Sequence, residues 1–538
     1  MIKKLFNGEI DSISIAAFLV AVSSLTSRIL GIFRDRVLAG QFGAGDTLDI
    51  YYAAFRIPDL IYNLLILGAL SAGFVPIFTS LIKKQKEKNN EAWILASNIL
   101  NILIVGLAIL SLIGIIFAPC FVKLITPGFS GVKIDLTVAL TRIMFLSPIL
   151  LGISSLLGGI LQSFKRFFIY SLAPIFYNAG IIIGAVYFVP LTGIYGLAWG
   201  VVLGASLHML IQIPAVFKLG YKYNFCLNFK NNNIKAIWLM MIPRTMSLGV
   251  AQINLVAITI IASTLASGSL SVFNFANNLQ SFPVGIFGVS FALAAFPTLA
   301  TVAFNREKLI SNFSTISRQI LFFIIPSTVL LLTLRAQIIR IILGTGQFNW
   351  EDTILTINTL GFFSFSLFAQ ALIPLLVRIF YSRHDSKTPF YIGFFSVIIN
   401  IILSLWLSRK MGIAGLALAF SSANILNFIF LWLALRLELG SLDEIKILKA
   451  TLKFSLAALF ASFIIQGLKL IIAPLVDMNR LWGILTQGAI AAVAGIVIYL
   501  LFCYFLKSEE LFNFWASIKK RLWKTKIEIV DRGEARGI

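Results

Sequence analysis

The chain has 538 residues, 59% of them apolar and 12% charged, with a net charge of +22. Soluble domains carry roughly 25% charged residues, so that class is excluded, and apolar runs of about 20 residues recur throughout, each long enough to cross ~30 Å of hydrocarbon as a helix. Alternating ten-residue strands are absent, which excludes an outer-membrane barrel, and the scattered Cys120, Cys226 and Cys503 give no metal or redox spacing.

In chain order, the basic segment MIKKLFNGEIDS precedes a long apolar helix with no small-residue cleavage site, so the first span reads as uncleaved. Fourteen spans are predicted, at roughly 13–33, 47–81, 92–118, 136–162, 168–189, 193–217, 236–264, 270–304, 312–334, 352–381, 389–408, 412–435, 450–473 and 482–506. The second, eighth and tenth are long enough to tilt or kink. With the N-terminus inside, 29 Lys and Arg fall in cytoplasmic segments and 9 outside. This positive-inside bias puts both termini in the cytoplasm and accounts for the net charge without nucleic acid. The tail LFNFWASIKKRLWKTKIEIV alternates aromatic and basic residues, as expected of an amphipathic helix on the inner leaflet.

The chain repeats itself. GIYGLA at Gly193–Ala198 returns as GIAGLA at Gly412–Ala417, an offset of 219, and Ser163/Ser382 and Phe129/Phe348 keep that offset. It spans six helices, an even number, so the halves are parallel repeats with a substrate path at their interface. The expected fold is all-α and polytopic, with about 14 transmembrane helices. It comprises a lobe over 1–220, a second over 221–440, two extra helices over 441–506 and a basic tail over 507–538.

The stretch Ser27–Phe78 is apolar enough for a bilayer yet carries Arg28, Arg34, Asp35, Arg36, Asp49, Arg56 and Asp59. A charge at the bilayer centre costs at least ~2.5–3.5 kcal/mol, so such residues face a cavity or a partner. Glycines interrupt the same stretch, and Gly31, Gly40, Gly43 and Gly45 are candidate hinges. Between Glu91 and Glu438 the acids Asp135, Glu307, Glu351, Asp352 and Asp385 fall in loops or at helix ends, whereas Arg244, Arg142 and Arg378 join Arg28 and Arg56 at depth. An arginine-rich, acid-poor interior suits an anionic, phosphate-bearing substrate, because the guanidinium binds phosphate as a planar fork. No P-loop, metal-ligand or catalytic pattern is present, so neither an enzyme nor a cofactor is expected. His208 reads as a hydrogen-bonded bundle residue and His384 as a cytosolic loop residue.

Several motifs then resemble those of the MurJ/MviN family, the lipid II flippases of the multidrug/oligosaccharidyl-lipid/polysaccharide exporter superfamily. They are SRILGIFRD at Ser27–Asp35, FGAG at Phe42–Gly45, FRIP at Phe55–Pro58, FVPIF at Phe74–Phe78, TPGF at Thr126–Phe129, ASGS at Ala266–Ser269, FPVGIFGVSFALAAFP at Phe282–Pro297 and YSRHDSKTP at Tyr381–Pro389. The resemblance implies a V-shaped cavity between two six-helix lobes, with Arg28, Arg34 and Asp49 at positions the family relies on. The family also carries an arginine pair after the FRIP-type motif and an arginine in the eighth helix, where this chain has Tyr62, Asn63 and Asn278. Arg244 is a candidate to replace that charge. The expected substrate-binding set is Arg28, Arg34, Asp49, Arg56, Arg244 and Asn278.

The implied function is movement of lipid II, the undecaprenyl-diphosphate-linked disaccharide-pentapeptide, from the inner to the outer leaflet of a bacterial cytoplasmic membrane by alternating access. Its expected partners are lipid II, membrane lipids and cell-wall synthesis proteins. The rivals are a flippase for another polyprenyl-linked glycan, a cation-coupled drug exporter, which should prefer acids in its cavity, and a non-transporting scaffold for cell-wall enzymes.

Overall fold

The computed structural model describes residues 13–64, 73–84, 91–516 and 519. Lys3, Lys4 and most of the basic tail lie outside these residues. The described residues are helical and contain no strand. In order, the helices are α1 (Ile13–Phe42), α2 (Asp46–Tyr62), α3 (Val75–Lys84), α4 (Glu91–Ile125), α5 (Val132–Met144), α6 (Leu146–Ser163) and α7 (Phe167–Ile183). Then come α8 (Val189–Thr192), α9 (Tyr195–Leu210), α10 (Ile213–Lys218), α11 (Asn232–Ser263), α12 (Ser269–Pro283), α13 (Ser290–Thr301) and α14 (Arg306–Thr333). The last are α15 (Arg335–Ile342), α16 (Trp350–Ser364), α17 (Leu367–Ser382), α18 (Lys387–Met411), α19 (Ile413–Leu439), α20 (Glu444–Ile472) and α21 (Leu481–Phe505).

Local chemistry sets many helix ends. The side chain of Asn231 caps α11 by accepting from Asn233 N at 2.8 Å, and that of Asn305 caps α14 by accepting from Lys308 N at 3.1 Å. Glu91 opens α4 and Lys123 closes it, each complementing the helix dipole.

Among the described residues ten helices are long and apolar enough to cross a membrane, or eleven if α16 and α17, bent by 45°, form one span. The expected spans 13–33 and 236–264 also fall on helices, in α1 and α11, and the ends of 47–81 fall in α2 and α3, its middle lying outside the described residues. The expected kink of the eighth span is a π-helical segment, Val284–Val289, between α12 and α13, and a second π-helical segment, Gly184–Phe188, follows α7. Each π turn breaks the regular ladder at a point where helices bend.

The repeat seen in the sequence is also written in the backbone. Lys165 and His384, 219 apart, are both non-glycine residues with positive φ, at 56° and 64°. Gly193 and Gly412, with φ of 64° and 60°, close the matching turn of each half. Arg166 N donates to Leu161 O at 2.8 Å as Asp385 N does to Phe380 O at 2.9 Å.

The chain forms two compact units. The first comprises Met1–Leu279, Ile342–Thr359 and Gly393–Phe420. Within it α7 and α9 pack backbone to backbone: a Cβ on Gly200 would sit 2.7 Å from Gly184 Cα, and one on Gly180 would sit 2.3 Å from Gly204 Cα. Small residues at four-residue spacing permit this approach, which drives helix association in lipid. An aromatic core joins α3, α4 and α6, with Phe74 stacked on Phe78 at 4.9 Å and Trp93 stacked on Phe164 at 5.7 Å. Polar groups on α4 are not left open. Asn98 exchanges hydrogen bonds with the backbone of Asn228, and Asn101 donates to Cys226 O at 2.9 Å.

The second unit comprises Gln280–Ile341, Leu360–Ile392 and Ser421–Ile538. The α20–α21 hairpin packs on α14 around fully buried Phe313, Phe322 and Phe454. Tyr499 Oη donates to Phe322 O at 2.7 Å, and Gln337 Nε2 donates to Gln487 Oε1 at 2.9 Å. After α21 the chain turns at Lys507 (φ 49°) and sends Glu510 inward to a buried ion pair with Arg318. Glu509 reaches the same guanidinium at 3.1 Å.

Candidate functional site

Within the first unit, α1, α2, α6, α7, α9 and α12 enclose a cavity of about 420 Å³. Helix α2 supplies most of its polar wall through Tyr52, Arg56, Asp59 and Tyr62. Their spacing of four, three and three residues places all four on one helical face. Arg34, Tyr51, Tyr177, His208, Asn274 and Asn278 complete the polar lining, and Phe55, Leu151 and Ile181 supply apolar surface.

The two cavity arginines differ in what they already hold. Arg34 donates to Asp35 Oδ1 through Nε at 3.0 Å and Nη2 at 2.7 Å, and to Asn178 Oδ1 through Nη1 at 3.2 Å. Asn278 donates to the other Asp35 oxygen at 2.8 Å. The α1 pair Arg34–Asp35 thus ties α7 to α12 with its charges balanced. Arg56 is 9% exposed, and its Nε donates to Thr259 Oγ1 at 2.9 Å. Among the described residues it makes no ion pair. A guanidinium has five N–H groups, so the Nη hydrogens of Arg56 remain for a ligand. Asp59, one turn on along the same helical face, balances the charge of Arg56 across the cavity without making an ion pair with it, so the guanidinium hydrogens can bond an entering anion directly.

The other expected residues lie elsewhere. Arg28 is exposed, outside the cavity lining, and without a hydrogen bond or ion pair among the described residues. Arg244 is a helical residue of α11 whose side chain lies outside those described. Asp49 is 3% exposed and fully engaged: Oδ2 accepts from Gly268 N at 2.8 Å, and Oδ1 accepts from Ser271 N at 2.9 Å and Ser271 Oγ at 2.8 Å. It thereby caps α12 from another helix, satisfying N–H groups that the helix itself cannot. Lys133 stands 3.5 Å from Asp49 and 2.5 Å from Asp46.

Asp49, in the first turn of α2, is the centre of a clasp in the first unit, beyond the end of α1 at Phe42, which lies ~12 Å past Arg34 at the helical rise. Four turns meet there, and they carry the FGAG, TPGF, ASGS and GTGQF sequences. Ala44 N donates to Asp352 Oδ2 at 3.0 Å, Gln347 N to Gly40 O at 2.8 Å, and Gly128 N to Ser263 Oγ at 3.4 Å. Gly43 (φ 63°) approaches Gln347 O so closely that a Cβ would lie 2.8 Å away, and one on Gly40 would lie 2.8 Å from Thr345 Cγ2. Gly31, by contrast, is embedded in continuous helix with space beside it: a Cβ there would lie 4.0 Å from Asn178 Oδ1.

The sequence reading missed Tyr51, Tyr52, Tyr177, Asn274 and His208 as cavity residues. For Tyr52 a signal existed, since it shares the helical spacing of Arg56, Asp59 and Tyr62. For Tyr177, Asn274 and His208 none did, because only tertiary packing brings α7, α9 and α12 to α2.

The helical fold and the polar, guanidinium-bearing cavity define a multi-pass membrane transporter. Comparison with known proteins narrows the class. A solved structure described as lipid II flippase MurJ in an inward closed conformation superposes with a TM-score of 0.75 at 26% identity, over 91% of this chain and 99% of that one. An inward-facing MATE family multidrug transporter of the MOP superfamily shares the fold at a TM-score of 0.64 and 15% identity, over 78% of this chain and 96% of its own. Residues 38–486 match the family described as Lipid II flippase MurJ, and the chain belongs to that family. Its relatives include a lipid II flippase MurJ of Burkholderia cenocepacia, 30% identical over 78% of this chain and 83% of its own. A probable lipid II flippase MurJ of Buchnera aphidicola is 32% identical over 77% and 81%. The chain is therefore a multi-pass inner-membrane protein.

Proposed function

We propose that this chain flips lipid II from the inner to the outer leaflet by alternating access. The observation that carries the reading is Arg56, a buried guanidinium that no carboxylate contacts among the described residues, its balancing charge Asp59 lining the same cavity of hydrogen-bonding side chains. Such a site takes a diphosphate, and the family supplies the identity of the lipid. In this mechanism the lobes 1–220 and 221–440 are the rocking bodies, and the clasp around Asp49 is the external gate. The headgroup enters from the cytoplasmic side, the diphosphate meets Arg56 and the free Arg34 hydrogens, and gate opening releases it outward. Asn278 acts through Asp35, while Arg28 and Arg244 are placed on the entry path. Both termini lie in the cytoplasm, and cell-wall synthesis proteins are the expected partners.

One observation favours a second reading, a flippase for a different polyprenyl-linked glycan. Two of the positions where the family carries arginine are committed to other bonds: Asn63 donates to Asp59 O at 2.9 Å, and Tyr62 Oη lies 3.3 Å from Ser155 Oγ. Purified protein in vesicles with fluorescent lipid II tests both. Wild-type protein should expose lipid II to an external quencher, and Arg56→Gln should slow this at least tenfold. Inactive wild-type protein would refute the primary reading, and activity on another polyprenyl diphosphate glycan in the same vesicles would establish the second.

A further inference from the structure

We propose that His208 is a further substrate-contacting residue of the cavity, an anion-binding imidazole that takes up a proton as the diphosphate enters. The proposal rests on reading the cavity as a diphosphate site.

His208 closes α9 and lines the same cavity as Arg34 and Arg56. Its ring is fixed on two sides. Nδ1 lies 2.6 Å from Ser154 Oγ, and Tyr177 meets the ring edge-on at 6.3 Å. Ser154 Oγ also accepts from Gln212 Nε2 at 2.6 Å and lies 3.0 Å from His208 O. Nε2 makes no hydrogen bond among the described residues, which leaves it to the cavity.

The Ser154 hydroxyl serves either protonation state without moving a heavy atom. Turned one way, it donates to Nδ1 of a neutral imidazole, and Nε2–H faces the cavity. Turned the other way, it donates to His208 O and accepts from Nδ1–H, which suits an imidazolium with both nitrogens protonated.

Charge balance supplies the reason for a proton. Arg34 and Arg56 bring two positive charges to the cavity and its wall, and Asp35 and Asp59 bring two negative ones. The remaining titratable groups facing it are the tyrosines Tyr51, Tyr52, Tyr62 and Tyr177. The fixed charges cancel, whereas a diphosphate diester carries one negative charge per phosphate. Of the lining residues, His208 alone is of a type that ordinarily titrates near neutral pH. A proton on His208 offsets one phosphate charge and makes its hydrogen bond to the anion charge-assisted.

The test uses purified full-length protein in detergent and UDP-N-acetylglucosamine, a soluble diphosphate diester that does not itself titrate near neutrality. Wild-type affinity should rise roughly tenfold from pH 8 to pH 6, the scale of one charge-assisted bond. His208→Gln should bind equally at both pH values. An equal slope in the two proteins, or none in the wild type, overturns the role of His208 and leaves the cavity reading intact. No binding by wild-type protein at either pH overturns both. Should His208→Gln not fold, calorimetry of wild-type protein at pH 7 in two buffers of different ionisation enthalpy decides alone: net proton uptake on binding is expected, and zero uptake refutes the proposal.

Discussion

Asp49→Asn should loosen the clasp proposed as the external gate. The carboxylate accepts three short hydrogen bonds, from Gly268 N, Ser271 N and Ser271 Oγ, all between 2.8 and 2.9 Å. Asparagine keeps one acceptor oxygen, enough for the two Ser271 bonds, but turns its NH2 group toward Gly268 N–H. The charge-assisted bond from Gly268 N and the 3.5 Å ion pair with Lys133 are lost, and a buried donor is left facing another donor. Bonds to charged groups contribute ~1.5–3 kcal/mol, and each 1.4 kcal/mol is about tenfold in an equilibrium. The closed gate should therefore lose about 10–100-fold relative to the open one. A cysteine at Ala44 reads this out, because Ala44 is 8% exposed and its carbonyl lies against Gly268. Exposed Cys120 is first replaced by serine so that it does not react. In intact cells the labelling rate of Ala44→Cys by an impermeant maleimide should rise at least tenfold when Asp49→Asn is added. An unchanged rate in protein that still reaches the membrane would refute the role of Asp49 as the gate's central acceptor.

Further outcomes follow from the same geometry. A cysteine in the 441–444 turn should resist an impermeant thiol reagent in intact cells while one at Asn349 reacts; the reverse pattern would invert the topology and the direction of transport. Gly31→Leu should leave folded protein in the membrane, since little lies near Gly31, yet abolish flipping in vesicles by displacing Asn178 from Arg34. Gly200→Val should lower the unfolding temperature in detergent, because overpacking typically costs ~1–3 kcal/mol and here the backbones of α7 and α9 already touch. Arg318→Ala should destabilise more strongly, by ~3–5 kcal/mol as for a broken buried pair, and a melting curve unchanged from wild type would show that Glu510 has no need of Arg318.

Much of the fold was legible because a bilayer imposes strong rules. Apolar runs gave the helices, and the 219-residue offset gave a repeat whose turns recur in backbone angles at Lys165 and His384. Helix α1 shows what apolar patterning leaves unsaid: it reads as a span, but the role of the charges Arg34 and Asp35 in its second half is legible only through the cavity that Arg34 lines. The π-helical segments at Gly184 and Val284 left no comparable trace, since a single extra residue in a helical turn does not disturb an apolar pattern.

The site was legible to the extent that its logic is local. Arg34 and Arg56 stood out because a cation within an apolar run demands a reason. Asp49 stood out by the same rule, but its partners, Gly268 and Ser271, lie more than 200 residues away and came together only in the fold. Asn278 shows why a substitution cannot be read from its own residue type. Its amide donates to the same carboxylate that neutralises Arg34. An arginine at this position would add a positive charge beside Asp35 and leave the cavity with a fixed surplus. With asparagine the fixed charges around the cavity cancel, and Arg56 is the cation whose guanidinium no carboxylate holds. A diphosphate entering such a site carries more negative charge than the site permanently offsets. The deficit must be met by a charge that arrives with the substrate, and a proton on His208, anchored by a hydroxyl that serves both states, meets it from within the wall.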